Sequence, residues 1–218
     1  YKQDLFRRET VYIITFIFKI VTKKTDIKQS RIIPLKNKSY KIEIIYEKQI
    51  ETRTTDKSRI ASIDIGVDNL ATVTSNVKEF KSHIVNGRPL KSMNQYFNKE
   101  KARMVSNVML INKDRRTSNK IERLTFKRNC KIKDYMHKAS KEVVDLLVEF
   151  NIGTLVIGKN IYWKNEYNKG DKNNQSFISI PHAEFIEMLQ YKCQLKCIDV
   201  IIQQESHTSK CSLLDLEP

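Results

Sequence analysis

The sequence predicts an α/β fold: a five-stranded mixed sheet in spatial order 3-2-1-4-5, helices on both faces, and a β-rich segment before it. Three observations predict it. Three short β-rich runs follow one another over 59–65, 69–75 and 81–86, joined only by short turns. Residues 91–150 then switch to helical periodicity. Two further apolar runs, 154–157 and 199–203, flank another helix. The order is βββ-α-β-α-β, and right-handed crossovers build that sheet without a knot.

The elements can be justified in turn. Residues 1–58 read as strands, with Val11–Ile20 and Tyr40–Tyr46 rich in β-branched and aromatic residues and polar Lys/Thr segments between them. Lys48 to Lys57 is charged and lacks apolar periodicity, so a linker is placed there. The second unit begins at residue 59 and runs to 218. Gly66 turns its first strand into its second, and Gly87-Arg88-Pro89 ends its third. Ile132, Tyr135, Met136, Ala139, Val143, Leu146, Leu147 and Phe150 recur at three- and four-residue steps as one apolar stripe. Asn151-Ile152-Gly153 is read as the stop of that helix, with the glycine as its cap. Thr154–Ile157 is the fourth strand, and a polar loop follows to Ser179. Pro181 opens a helix with Phe185, Ile186, Leu189 and Cys193 inward. Asp199–Gln203 is the fifth strand.

Composition narrows the function. The 218 residues carry a formal net charge of +15, which points to a polyanionic partner. From Lys78 to Lys138 there are 17 Lys+Arg against 5 Asp+Glu, so most of the excess lies in one segment. Val11–Ile20, the longest apolar run, is too short to span a bilayer and contains Thr15 and Lys19. Cys130, Cys193, Cys197 and Cys211 make no CxxC pair; Cys193 and Cys197 read as two small core residues. A reducing, cytosolic compartment is expected.

Asp64 is the residue that asks for an explanation. In Ile60-Ala61-Ser62-Ile63-Asp64-Ile65-Gly66 a lone carboxylate sits in an apolar run. A buried, unpaired charge is costly, so a metal ion, a phosphate-bearing ligand or another partner is expected. The strand order is that of the ribonuclease H-like layout, in which the central strand carries such an Asp. Nucleases of this layout hold two divalent ions, usually Mg²⁺ or Mn²⁺, on three or four carboxylates. The next carboxylate usually ends the fourth strand, yet that end reads Val156-Ile157-Gly158-Lys159-Asn160. The fifth strand runs into Gln203-Gln204-Glu205, and strands lie roughly 4.8 Å apart. Glu205 is therefore the candidate second ligand, against a reading as a solvated strand-end residue. Asp68 reads as a turn residue. Glu184 and Glu187 read as helix-dipole partners. An actin-like phosphate hairpin also uses Asp-x-Gly, but the five glycines, Gly66, Gly87, Gly153, Gly158 and Gly170, form no adenosine loop.

The basic segment supplies candidate nucleic-acid contacts. Arg88, Lys91, Gln95 and Tyr96 leave the third strand beside Phe97, where cations neutralise phosphates and aromatic faces stack on bases. Arg115, Arg116, Arg123, Lys127, Arg128, Lys131 and Lys133 follow, with Arg123, Lys127 and Lys131 spaced along one helical face. The competing reading is a solvated cationic helix. Trp163, the one tryptophan, lies in the loop after the fourth strand and either contacts nucleic acid or covers the sheet end. His137 and His182 read as helix-surface or cap residues, and His207 follows Glu205 closely.

Four stretches together resemble the TnpB (OrfB) family of transposon-encoded, RNA-guided DNA endonucleases, relatives of type V CRISPR effectors. They are Ser62–Thr72; Asn86–Ser92 with Asn94-Gln95-Tyr96; Ile152–Asn160; and Glu205-Ser206 with Thr208–Ser212. The resemblance implies that 1–58 is the end of a β-rich, nucleic-acid-binding wedge domain and that 59–218 is a RuvC nuclease domain. It implies a guide RNA, target DNA and Mg²⁺-dependent cleavage. Asp64 matches the first RuvC carboxylate, and Glu205 would be a relocated second one. The family's zinc ribbon begins with CxxC, whereas Cys211 is followed here by Ser212-Leu213-Leu214-Asp215, which leaves zinc in question. The last carboxylate would lie past Pro218, so these 218 residues alone are expected not to cleave.

Overall fold

The computed structural model describes residues 9–13, 18–22, 26–35, 39–48, 50, 52–159 and 180–204. The chain divides into two compact units, Tyr1–Ile50 and Glu51–Pro218.

The first unit contains two antiparallel hairpins. β1 (Glu9–Ile13) pairs with β2 (Phe18–Thr22), and β3 (Ile27–Pro34) pairs with β4 (Tyr40–Tyr46). The apolar run over 11–20, read as one strand, is thus the two arms of a hairpin, with Val11 opposite Ile20. Nothing in Ile14-Thr15-Phe16-Ile17 carries a turn residue, so the sequence gives no sign of the reversal. β3 was hidden in a polar segment. Its pairing sets Arg31 opposite Glu43 and Ile32 opposite Ile42, and Lys28 meets Glu47 at 3.0 Å.

The second unit is built on a five-stranded sheet. β5 (Asp56–Ile65), β6 (Asn69–Ser75) and β7 (His83–Asn86) form an antiparallel meander. β8 (Ile152–Lys159) runs parallel to β5, and β9 (Asp199–Gln204) runs parallel to β8. The spatial order β7-β6-β5-β8-β9 is the expected 3-2-1-4-5. Among the described residues three helices accompany the strands: α1 (Arg88–Ile111), α2 (Asn119–Glu149) and α3 (His182–Gln194).

Strand parity places the core. Ala61, Ile63 and Ile65 alternate with exposed Ser62 and Asp64 along β5. The register sets Ala61 beside Leu155 and Ile63 beside Ile157, so one apolar face runs across β5 and β8. Ile132, Met136, Ala139, Val143 and Leu147 of α2 pack into the same cluster, with Phe185, Leu189 and Cys193 of α3. The described helices cover this face. The other face bears Ser62, Asp64 and Thr74, exposed among the described residues, with the Ser62 and Thr74 hydroxyls 2.7 Å apart.

Asp56 and Lys57, assigned to the linker, belong to β5, where Asp56 pairs with Ile152. Their side chains are exposed, which is why the segment shows no apolar period. The helical stretch is interrupted at 112–118, where Asn112 Oδ1 accepts from the Asp114 amide at 3.0 Å and Ser118 caps α2 by accepting from the Ile121 amide at 3.4 Å. Gly153 does not cap α2. Asn151, at φ 50°, makes the left-handed turn, and Gly153 lies in β8. A Cβ on Gly153 would stand 2.2 Å from the Asp56 carbonyl oxygen, so the glycine admits β5 alongside β8.

Candidate functional site

Asp64 lies near the carboxyl end of the central strand, opposite Thr72 of β6. Its carboxylate makes no hydrogen bond or ion pair among the described residues. The expectation of a buried charge is corrected: Asp64 is on the exposed face, because its neighbours Ile63 and Ile65 take the inward positions. Ile63 pairs with Ile157, so the next residue of β8, Gly158, comes beside Asp64 and brings no side chain. Gly158 in turn pairs with Gln203. The row reads Thr72, Asp64, Gly158, Gln203.

The turn after Asp64 is held from three sides. The Gly66 amide donates to the Leu70 carbonyl at 3.3 Å, and a Cβ on Gly66 would stand 2.8 Å from the Asn69 carbonyl oxygen. The Gly87 amide donates to the Asp68 carbonyl at 2.8 Å. His182 Nε2 lies 3.1 Å from the Gly66 carbonyl oxygen. His182, read as a helix-surface or cap residue, is the first residue of α3 and is buried. Sequence reasoning missed this contact because it joins residues 116 positions apart. Asp68 behaves as a turn residue and pairs with Lys91 Nζ at 2.9 Å. Glu184 and Glu187 are exposed near the start of α3.

Glu205, His207, Cys211 and Trp163 lie outside the described residues, as does the rest of 160–179, the segment expected to be a polar loop. Among the described residues no group of three or more His, Cys, Asp or Glu side chains could hold a metal ion. Asp64 is a single carboxylate, which does not by itself fit the two-ion centre expected from the sequence.

The basic candidates sort by environment. Arg88 and Lys91 open α1, where the Arg88 amide donates to Asn86 Oδ1 at 3.0 Å. Gln95 and Tyr96 are exposed. Phe97 does not offer a free face to a base: Lys101 Nζ and the Arg128 guanidinium lie 5.7 and 5.6 Å from its ring centroid. Arg128 reaches from α2 to α1 and donates through Nε and Nη2 to Asn94 Oδ1 at 2.8 and 2.5 Å. Partial burial pushes its pKa down. Arg128 therefore ties the two helices together. Arg115 and Arg116 are exposed in the turn at 112–118, and Arg123, Lys127, Lys131 and Lys133 are exposed on α2.

The two halves of α2 differ in charge. Over 119–133 it carries six basic residues and one acidic, Glu122. Over 134–149 it carries two basic and four acidic residues, and three of the acids pair, as Lys138–Asp134, Lys141–Asp145 and, from β7, His83–Glu142. The excess positive charge of α2 thus lies in its first half. The second half packs on the sheet through Met136, Ala139, Val143 and Leu147.

A family model described as a probable transposase, OrfB_IS605, matches residues 43–164, more than half of the chain. The chain belongs to this OrfB_IS605 family. Two cryo-EM structures share the fold. In a Cas12f1–sgRNA–target DNA complex the similar chain is 20% identical, with a TM-score of 0.52 over 73% of this chain and 39% of that one. In a CRISPR–Cas12f ternary complex it is 20% identical, with a TM-score of 0.53 over 82% of this chain and 35% of that one. This OrfB_IS605 chain thus spans well under half the length of either. No curated protein matches it. Among the described residues no helix is long and apolar enough to cross a membrane.

Proposed function

We propose that the chain is the RuvC-containing part of an RNA-guided DNA endonuclease that cuts phosphodiesters by a two-metal-ion route. The observation that carries this reading is Asp64: a carboxylate without a partner among the described residues, exposed beside the side-chain-free Gly158 in the sheet. The transposase family and the Cas12f-like fold support DNA as the target and RNA as the guide. In such a protein base pairing reads the sequence while the protein holds the heteroduplex backbone. Arg115, Arg116, Arg123, Lys127 and Lys131 would neutralise phosphates there. A prokaryotic cytosol or nucleoid suits these partners.

Asp64 and Glu205 would hold Mg²⁺ or Mn²⁺. Glu205 follows Gln203 by two residues in the sequence, and Gln203 shares a row with Gly158. When bound, the ions would supply an activated water and a stabilised leaving oxygen.

A second reading is a guided DNA-binding protein whose nuclease has decayed. It is favoured by the absence of a carboxylate at Gly158. Mn²⁺ titration of the full chain, followed by electron paramagnetic resonance, separates the two. Asp64→Asn and Glu205→Gln should each weaken binding by more than about tenfold. If Asp64→Asn leaves binding unchanged, the metal site is wrong and the decayed reading stands. If Glu205→Gln alone has no effect, the relocated second ligand is wrong.

A further inference from the structure

The tip of the α1–α2 hairpin has a composition that the phosphate-holding role does not explain. Leu110 and Ile111, the last two residues of α1, are 86% and 91% exposed, more than any other large apolar side chain among the described residues. The turn that follows carries Lys113, Arg115 and Arg116, all exposed, against one acid, Asp114. Among the described residues Arg115 uses only its Nε, on the Thr117 carbonyl at 3.1 Å. An exposed apolar pair followed by three exposed cations suits a partner that offers apolar faces beside anions. Stacked bases flanked by phosphates have that chemistry, and apolar wedges between base steps are a recognised way to kink and unstack a duplex. A protein partner would need an apolar pocket rimmed by acids. The exposed Tyr96 lies 14 residues back along the same helix, about 21 Å from the tip. It offers a stacking face for a base released there.

We infer that the hairpin tip is a base-unstacking wedge for duplex DNA: Leu110 and Ile111 insert at a base step while Lys113, Arg115 and Arg116 hold the flanking phosphates. The inference rests on the chain being a nucleic-acid-binding protein. Duplex DNA is chosen over RNA because the family is one of transposases, and because the deep, narrow major groove of A-form RNA excludes side chains.

The test uses the full chain and a DNA duplex carrying 2-aminopurine, whose fluorescence rises on unstacking. Binding of the unaltered chain should raise the fluorescence several-fold. Leu110→Ser with Ile111→Ser should abolish most of that rise while keeping the salt dependence of binding. Arg115→Ala with Arg116→Ala should lower the slope of log K against log salt by about 2. Both double variants should melt as the parent does, because all four side chains are exposed. A parent chain that binds no nucleic acid overturns the underlying reading. A chain that binds, but whose fluorescence rise survives Leu110→Ser/Ile111→Ser, overturns the wedge alone. A larger rise with an RNA duplex overturns the choice of DNA. Loss of self-association in the apolar double variant, with unchanged fluorescence, would make the tip a contact between copies.

Discussion

Gly87 links the helical hairpin to the Asp64 turn, and replacing it by alanine should loosen both. A Cβ there would stand 2.0 Å from the Val67 carbonyl oxygen, 2.9 Å from its carbon and 3.0 Å from the Leu70 amide nitrogen. All three are backbone atoms, so no side chain can swing away. Ordinary contact starts at 3.4 Å, so the chain must give by about 1.4 Å, the difference between that and 2.0 Å. Overpacking costs about 1–3 kcal/mol. The shift also strains the Gly87 amide bond to the Asp68 carbonyl, worth about 1 kcal/mol more. A total of about 2–4 kcal/mol should lower the melting midpoint by on the order of 10 °C in a unit of this size. Circular dichroism melting reads the midpoint, and hydrogen exchange reads the 66–70 amides, which should lose protection first. Ser92→Ala, on the exposed side of α1, is the control. A Gly87→Ala chain that melts with the parent and keeps its 66–70 protection would refute the claim that the α1 start buttresses the Asp64 turn.

Other outcomes follow from the same geometry. Arg128→Ala should lower stability by about 1–3 kcal/mol in denaturant melts, because it leaves Asn94 without its guanidinium, and should leave the salt slope of DNA binding unchanged. Lys127→Ala, exposed one position away, should do the reverse and reduce that slope by about 1. The His137 pKa is lowered by burial first and then by Lys192 and Lys133. Its folded form therefore prefers the neutral ring: the contribution is complete above the unfolded value of 6.5 and is lost as pH falls below it, so His137→Asn should flatten melting midpoints across that window. Burial pushes the Cys193 thiol up to about 12, so maleimide mapping at pH 8 should label exposed Cys130 and spare Cys193 until the chain unfolds.

Long-period features of the fold were legible in sequence, and short-range reversals were not. The stripe from Ile132 to Phe150 specified α2 because burial on one face forces a helical repeat, and Ile132, Met136, Ala139, Val143 and Leu147 are buried as that repeat requires. The meander was readable because Gly66 marks its first turn and the Gly87-Arg88-Pro89 stop marks its end. The β1–β2 reversal and the break at 112–118 carry neither Gly nor Pro. Asn112 and Ser118 make the second break through side-chain bonds to nearby amides, a signal that a basic, helix-compatible background masks. Lateral contacts were beyond reach for another reason. The His182 bond to Gly66 and the Arg128 bonds to Asn94 depend on which helix faces which, and one sequence carries no record of that.

The reading of Asp64 depends on the difference between its expected and observed surroundings. A buried carboxylate would demand a partner simply to exist, and any partner, including a lysine, would satisfy it. An exposed one demands nothing, so the absence of a partner among the described residues is compatible with a ligand there. Strand parity supplies the rest. On β5 the inward positions are Ala61, Ile63 and Ile65, and a shift of register by one residue would exchange Asp64 with Ile63 and place a charge against α2. The core that fixes the register therefore also fixes the side on which Asp64 stands. On that side Gly158 leaves the adjacent position on β8 empty of side chain, and the next position along the row on β9 is Gln203. Placing a carboxylate back at 158 is thus the sharpest test of the geometry. Gly158→Glu should strengthen Mn²⁺ binding in the otherwise unaltered chain, and should restore it in Glu205→Gln, if the row built on Asp64 is the metal-holding row.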